Sequence, residues 1–398
     1  MDTILLYDSS RKIGHQVDYL RYLINYITSL PTGHSQRFLF VLSSVLLDRL
    51  QPANNDHSLF IPIPETILSR LKDPIDFSTK YQNSMIEGTY IQEIIQQYNA
   101  QKVIFMILDT HIMLAGRSAF YPPGVKVSGI YFRPLPSVAD DKKGWLADKL
   151  AFLKKGIKAC LLKAIISFSP IEKVYVSEDT AVVDWLNRHV SDGRFAYLPD
   201  PVDQQDIPTD DSWRTTYSIG PDVPVYLIFG VIGERKNVTN SLTAYGLGLT
   251  RQTIGVSRLL IVGKFESEEY KQTVTGLVNQ DPLLSTHVII HNEFVSNFDR
   301  EQLFGGCLAV VMPYIHCQGA SGVLGHAARY GKPVIAPNKG IVAQLVHRYD
   351  LGFTVDPTDI DQLDSALSKA ASFTGNESLK TTFLTERLPA KFASMLLG

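Results

Sequence analysis

Two short runs in the second half of the chain carry residue types suited to holding a phosphate. The first is Phe229-Gly-Val-Ile-Gly-Glu-Arg-Lys-Asn237, in which Gly230 and Gly233 open a loop and Arg235 and Lys236 bring cations to it. A lysine offers a compact charge and an arginine a planar fork, and both bind phosphate oxygens. Cations at the start of a helical stretch meet the positive end of the helix dipole, which argues for an anionic ligand over plain solvation. The second run is Val310-Val-Met-Pro-Tyr-Ile-His-Cys-Gln-Gly-Ala-Ser-Gly-Val-Leu-Gly-His326, followed by Ala327 to Ile335. It reads as a buried strand, a loop holding Gly319 and Gly322, a helix from about Ser321 to Tyr330 and a strand beginning at Pro333. Gly319 and Gly322 permit close backbone approach, and Ser321 suits an N-cap. The first amides of such a helix lack internal partners and favour an anion, so the amides around Ser321 to Val323 are expected to hold a phosphate beside Lys236. Alone, the loop reads as a tight turn and cap; the cationic run is what tips it towards an anion site.

Such chemistry needs strand ends to carry it. Short β-branched runs alternate with amphipathic stretches almost throughout, the pattern of parallel sheets with crossover helices. Strands are expected at 4–7, 38–43, 59–63, 103–108, 127–132, 174–177 and 195–198, then at 225–229, 258–262, 288–291, 309–312, 333–336 and 352–355. Helices are expected between several of them, for example at 16–28 and 86–99. Both phosphate-type runs start at the carboxyl end of a strand, where ligands sit in open α/β sheets. A length of 398 residues exceeds what one core usually serves. Pro199 and Pro201 stiffen the segment Leu198-Pro-Asp-Pro-Val-Asp203 and place a boundary near residue 203. The expectation is an α/β chain with a first Rossmann-like domain over 1–203, a second over 204–378, and a helical tail over 379–398 that crosses back to the first.

Composition narrows the classes. A net charge of −2 gives no overall attraction to nucleic acid, so no nucleic-acid partner is expected. Cys160, Cys307 and Cys317 form no CxxC pair, which argues against a disulfide framework or a zinc site. The opening residues, MDTILLYDSSRK, lack the basic and apolar regions of a signal peptide, and no stretch approaches the ~18 apolar residues of a membrane span. The expectation is a soluble, cytoplasmic protein without a metal. The basic stretch 149–163 is the one membrane signal: Lys154, Lys155, Lys158 and Lys163 can share part of a helical face opposite Phe152, Leu153 and Leu161. It reads either as a peripheral contact with the inner face of a membrane or as a solvated helix packed on a sheet.

Taken together, these segments resemble the retaining GT-B glycosyltransferases of family 4, the group 1 glycosyltransferases, over nearly the whole chain. The resemblance rests on Lys236, on the frame Ala327, Gly331 and Pro333-Val334-Ile335, and on Asp200-Pro201-Val202-Asp203, similar to the family's Asn-Pro-Val-Asp. The stretch from Phe294-Val-Ser296 through Asp299 and Leu303 to Val310-Val-Met-Pro313 looks like the nucleobase side of the family's site. Leu351-Gly352 and the acidic stretch from Asp356 to Leu363 fit as well. Three positions depart: Gln318 and His326 stand where the family has its two glutamates, and Val231 where a turn arginine is usual.

The resemblance implies two Rossmann-like domains with a cleft between them and a C-terminal helix packed back on the first. It also implies transfer of a sugar, with retention and without a metal or bound cofactor, from a UDP-, GDP- or dTDP-sugar to a glycan, lipid-linked or other hydroxyl acceptor. Lys236, with Arg235 as a second cation, would neutralise the diphosphate; Gly319, Ala320, Ser321, Gly322 and Val323 would cradle it. Gln318 would orient the donor sugar, His326 would meet the ribose and Phe294 would lie on the base side. In the first domain Gly14 and His15 follow the first strand like the family's Gly-rich turn, although His15 reads equally as an exposed residue at a helix start. His111, after the strand 103–108, would face acceptor and donor sugar, or else lie on a helix surface behind a capping Asp109. Arg133 and Ser177-Glu178 are further strand-end candidates. The rival reading is a GT-B protein that binds a nucleotide sugar or glycan without transferring it, since Gln318 cannot bring a negative charge to a developing oxocarbenium ion.

Overall fold

The computed structural model describes the chain except residues 1, 12–15, 32, 133–144, 205–209, 316–318 and 320, and the side chains of 145–155 also lie outside the description. Two compact units result: Met1–Pro201 with Pro389–Gly398, and Val202–Leu388.

The first unit is built on seven parallel strands: β1 Asp2–Asp8, β2 Gln36–Leu42, β3 Ser58–Pro62, β4 Ala100–Phe105, β5 Lys126–Tyr131, β6 Ile171–Ser177 and β7 Phe195–Leu198, in the order β3-β2-β1-β4-β5-β6-β7. The second carries six: β8 Val225–Phe229, β9 Arg258–Val262, β10 Val288–His291, β11 Ala309–Val311, β12 Val334–Pro337 and β13 Gly352–Val355, in the order β10-β9-β8-β11-β12-β13. Parallel pairing demands crossover helices on both faces, so the strands read as near-continuous apolar runs. Alternate residues feed opposite cores: in β1, Leu5 and Tyr7 face one cluster and Ile4 and Leu6 the other. In β8, Val225 and Leu227 divide from Tyr226 and Ile228 in the same way. Each sheet reverses its strand order once, between β1 and β4 and between β8 and β11. A crevice opens at the carboxyl ends of those strands, and ligands of such sheets bind there.

Several local features differ from expectation. The helix expected at 86–99 starts earlier, as Phe77–Tyr98, because Asp76 and Thr79 form a reciprocal capping box. Its first turns leave Phe77, Tyr81 and Met85 exposed, which blurs the apolar periodicity. The chain rejoins the first unit at Pro389 instead of Leu379. The helix Glu377–Glu386 packs on Gly322–Arg329 and Gly340–Tyr349, with Phe383 buried beneath the Arg387 guanidinium at 4.0 Å. Only the helix Pro389–Leu397 lies on Gln16–Thr28 of the first unit, where the Phe392 and Tyr19 rings are 4.9 Å apart. The segment before Pro201 is fixed by Glu178, whose carboxylate accepts from the Asp200 amide (2.9 Å) and the Tyr197 hydroxyl (2.8 Å) at a backbone φ of 58°. Glu178 is thus buried structure at a strand end.

Candidate functional site

In the second unit the crevice between β8 and β11 gathers the cationic run and the glycine loop. After β8 the backbone turns at Gly230, with φ 98°, and passes so close to β9 that a Cβ on Gly263 would stand 2.0 Å from the Gly230 carbonyl oxygen. This tight turn brings Lys236 back under the strand end. Its side chain is only 4% exposed as a residue, and its ammonium donates to the Phe229 carbonyl and to the Tyr314 hydroxyl (3.1 Å). Arg235 lies over the same ring, its guanidinium 4.8 Å from the Tyr314 centroid, as far as the Lys236 ammonium is. The Ile315 amide donates to the Arg235 carbonyl (2.9 Å), so the loop after β8 and the loop after β11 are tied together.

The Tyr314 hydroxyl also lies 3.4 Å from Ser321 Oγ. Ser321 occupies the N-cap of the helix Gly322–Arg329, but its side chain makes no cap hydrogen bond, contrary to its expected role. Pairing with Tyr314 turns the hydroxyl aside. The Leu324 amide closes back on the Ser321 carbonyl (2.8 Å), while the amides of Gly322 and Val323 bond to no acceptor among the described residues. Open amides at a helix start, with two cations held on one ring beside them, form an anion-binding arrangement.

His326 lies one turn further along this helix, four residues after Gly322 and so on the same face. Its Nδ1 is 3.4 Å from Oε1 of Glu301, a carboxylate with 0% exposure on the helix Asn297–Gly306. Glu301 is held by Arg300 (2.8 Å), Arg329 (2.7 Å) and the Tyr330 hydroxyl (2.8 Å). Its charge is therefore already met, and burial with the cations of Arg300 and Arg329 pushes the His326 imidazole down to about 3. His326 is neutral over the ordinary pH range.

In the first unit the crevice between β1 and β4 holds a buried polar cluster. Glu87, from the helix Phe77–Tyr98, accepts from the hydroxyls of Tyr7 (3.0 Å) and Ser9 (2.6 Å) and lies 3.4 Å from His111 Nε2. His111, on the helix Leu108–Ala115, sets Nδ1 against the Ile107 carbonyl (2.7 Å) and has Ser9 Oγ 3.0 Å from Nε2. Burial alone would lower His111, but the Glu87 carboxylate outweighs it and raises the imidazole above its ordinary value. Burial alone would likewise raise Glu87, and His111 with the Ser9 and Tyr7 hydroxyls holds it below its usual range. Asp8, at the end of β1, is raised by burial; Oδ1 accepts from the Ser10 amide (2.9 Å), and Oδ2 has no partner among the described residues.

Residues 210–375 match the family model described as Glycosyl transferases group 1. That segment contains Arg235, Lys236, Phe294, Glu301, Tyr314, the 319–323 loop and His326. Over its full length the chain is similar in structure to sucrose-phosphate synthase (tll1590) from Thermosynechococcus elongatus, with 15% identity, 95% of that chain covered and a TM-score of 0.66. It is similar to WaaG, a glycosyltransferase involved in lipopolysaccharide biosynthesis, with 16% identity, 100% coverage of that chain and a TM-score of 0.59. It is also similar to Anabaena HepE in complex with UDP and glucose, with 13% identity, 98% coverage of that chain and a TM-score of 0.64. At such identities the likeness shows the fold, and the fold is GT-B. No curated protein matches the sequence.

The candidate residues divide three ways. Arg235, Lys236, Gly319, Ser321, Gly322, Val323 and His326 lie on the loops and helix at the β8 and β11 ends, and Val231 is turned outward at 44% exposure. Phe294, 72% exposed, follows β10 in an open loop. His111 is buried with both ring nitrogens engaged, neither a surface residue nor an open base; Asp109 uses Oδ2 to accept from the Phe132 amide (2.8 Å). Gly14, His15, Arg133, Gln318 and Ala320 lie outside the described residues. Lys149, Lys154 and Lys155 are on the helix Trp145–Ser167, but their side chains also lie outside the description. Where that helix can be read, Lys163 is exposed as expected, but Leu161 and Lys158 depart from the expected faces. Ala159, Leu162 and Ile166 point into the core, Lys158 is drawn 5.8 Å from the Tyr131 ring, and Ile157 and Leu161 face outward. Sequence reasoning missed Tyr314, Glu301 and Glu87. Tyr314 directly follows Pro313 at the strand end, a position that signals a site, whereas Arg329 and Tyr330 are distant in sequence from Glu301, as Tyr7, Ser9 and His111 are from Glu87.

Proposed function

We propose that this chain is a glycosyltransferase that moves a sugar from a nucleotide-linked donor to a hydroxyl acceptor, with retention and without a metal. The observation that carries the reading is the convergence of Lys236 and Arg235 on Tyr314 beside the open amides of Gly322 and Val323. It falls in the segment that matches the group 1 family and at the strand-order reversal of its sheet. In this reading the diphosphate lies across the amides, with Lys236 and Arg235 against its oxygens. The bond between the sugar and the diphosphate breaks, the acceptor oxygen forms the new bond to the sugar, and the acceptor hydroxyl proton passes to the departing diphosphate. Negative charge grows on the departing diphosphate, and fixed cations and amides stabilise it without reorganising. Gly319 and Ala320 complete the phosphate loop, Gln318 orients the donor sugar, His326 meets the ribose and Phe294 borders the base. To His111 we assign a positioning part: with Glu87 it holds Ser9 and the β1 end in place.

The acceptor is a glycan or a lipid-linked hydroxyl compound, and the outward Ile157 and Leu161 near the basic stretch 149–163 support a peripheral membrane contact on the cytoplasmic side. Among the described residues no helix is long and apolar enough to cross a membrane. The test is to incubate the protein with UDP-, GDP- and dTDP-hexoses, with and without acceptors, and to follow nucleoside diphosphate release. Release from one donor class is expected. Binding without release on any acceptor would replace transfer by a binding role, and absence of binding to every nucleotide would end the reading.

A further inference from the structure

Glu301 is a fully buried carboxylate that touches no strand end itself, yet its surroundings converge on one histidine. Oε2 accepts from Arg329 Nη1 (2.7 Å) and the Tyr330 hydroxyl (2.8 Å), and Oε1 accepts from Arg300 Nε (2.8 Å) and Nη2 (2.8 Å). The remaining neighbour of Oε1 is His326 Nδ1 at 3.4 Å. This Nδ1 is buried and makes no hydrogen bond among the described residues, so the Glu301 carboxylate acts on it as a charge 3.4 Å away. Nε2 is not among the buried unpartnered atoms and bonds to no described residue, so the 19% exposure of the side chain includes that edge of the ring. We propose that Glu301 fixes His326 as the tautomer protonated on Nδ1, so that Nε2 presents a single lone pair to one ligand hydroxyl.

The nearby carboxylate charge favours this tautomer. A lone pair on Nδ1 would lie 3.4 Å from a carboxylate oxygen and be repelled by its charge, whereas a proton there is attracted. The charged groups facing the ring are Arg300 and Glu301 from one helix, Arg329 from its own, and Asp203 from the start of the second unit; the Phe304 ring lies 5.2 Å away. Two cations against two carboxylates leave no surplus negative charge to hold an imidazolium in a buried place. A neutral ring whose Nδ1 bears the proton can only accept at Nε2. A carboxylate at this position could accept from two neighbouring hydroxyls at once; one lone pair takes one. Given the nucleotide reading on which this rests, the ligand hydroxyl belongs to the ribose pair, and the protein should distinguish the two hydroxyls.

The first arm needs no ligand. The whole chain, labelled with ¹⁵N in its histidine rings, is followed by long-range ¹H–¹⁵N correlation from about pH 5 to 8, with the His326 signals assigned by their loss in His326→Gln. The expected pattern is a neutral ring with its proton on Nδ1 at every pH, moving toward the Nε2-protonated form in Glu301→Gln. A wild-type ring protonated on Nε2, or one that titrates near pH 6 to 7, overturns the proposal even if Glu301→Gln does not fold. In the second arm UDP or GDP, whichever binds, is compared with its 2′-deoxy and 3′-deoxy forms. One deoxy form should bind about fivefold more weakly and the other nearly unchanged, the loss of one hydrogen bond. Equal losses overturn the single-acceptor assignment. Failure of every nucleotide to bind sinks the nucleotide reading, and with it the ribose half of the proposal, while the spectrum still decides the tautomer.

Discussion

Glu87→Gln removes one charge and almost no volume from the cluster that anchors the end of β1. Glu87 is 3% exposed and accepts from Tyr7 (3.0 Å) and Ser9 (2.6 Å) beside His111 (3.4 Å). Glutamine can still accept from one hydroxyl, but it cannot hold His111 protonated. Breaking a buried pair costs about 3–5 kcal/mol when the surviving charge is stranded. Here His111 can shed its proton and accept from Ser9, so about 2–3 kcal/mol is expected. At about 2–4 °C per kcal/mol for a unit of this size, the first unit's melting transition should fall by roughly 5–10 °C near pH 5.5.

The pH dependence follows from the directions of the shifts. His111 is raised, so its contribution is complete below its unfolded value, about 6.5, and is lost as pH rises through the folded value. Glu87 is lowered, so its contribution is present above its unfolded value, about 4.5, and is lost as pH falls through the folded one. These are two views of one interaction, strongest between about pH 4.5 and 6.5. Asp8, raised by burial, also disfavours the folded state as pH climbs above the usual carboxylate range. The wild type should therefore lose stability between about pH 6 and 9, and Glu87→Gln should lose less. Scanning calorimetry at about pH 5.5 and 8.5 reads both transitions. An equal shift at the two pH values, or none at all, would refute the ion-pair account.

Gly263→Ala should destabilise the second unit by more than about 3 kcal/mol, because a Cβ would meet the Gly230 carbonyl oxygen at 2.0 Å with φ at 140°; its calorimetric transition reports the loss. Tyr314→Phe removes the hydroxyl between Lys236 and Ser321 and should weaken nucleoside diphosphate binding about three- to tenfold in calorimetric titration, with the melting temperature little changed. Replacing Lys154, Lys155 and Lys158 together, or Ile157 and Leu161 by serine, should reduce flotation with anionic liposomes; no response in either variant removes the membrane contact.

The strands were legible because parallel strands are buried on both faces and read as unbroken apolar runs. β8, β9 and β10 fall where the sequence places them, and β11 closes one residue short of 312 because Met312 already turns into the Pro313 loop. The cationic run and the glycine loop were legible for a related reason: glycine, lysine and arginine at strand ends are local signals. What the sequence hides are distant pairs. Glu87 meets Tyr7 and His111 across 80 and 24 positions, and Glu301 meets Arg329 across 28, so the burial of each carboxylate depends on partners far along the chain; the adjacent Arg300 alone does not reveal it. Likewise the outward Leu161 and inward Lys158 follow from Tyr131 and the core beneath the helix, and its own amphipathic pattern does not reveal them.

The central claim is that Lys236, with the loop and helix start beside it, holds the diphosphate of a nucleotide. Calorimetric titration of UDP, GDP and dTDP into wild type and Lys236→Met tests it most directly, since methionine keeps the buried stem and removes only the charge. The wild type should bind one equivalent of at least one nucleotide, and Lys236→Met should bind it about ten- to hundredfold more weakly, the worth of a charge-assisted hydrogen bond. Equal affinity in a variant that keeps its fold would contradict the account.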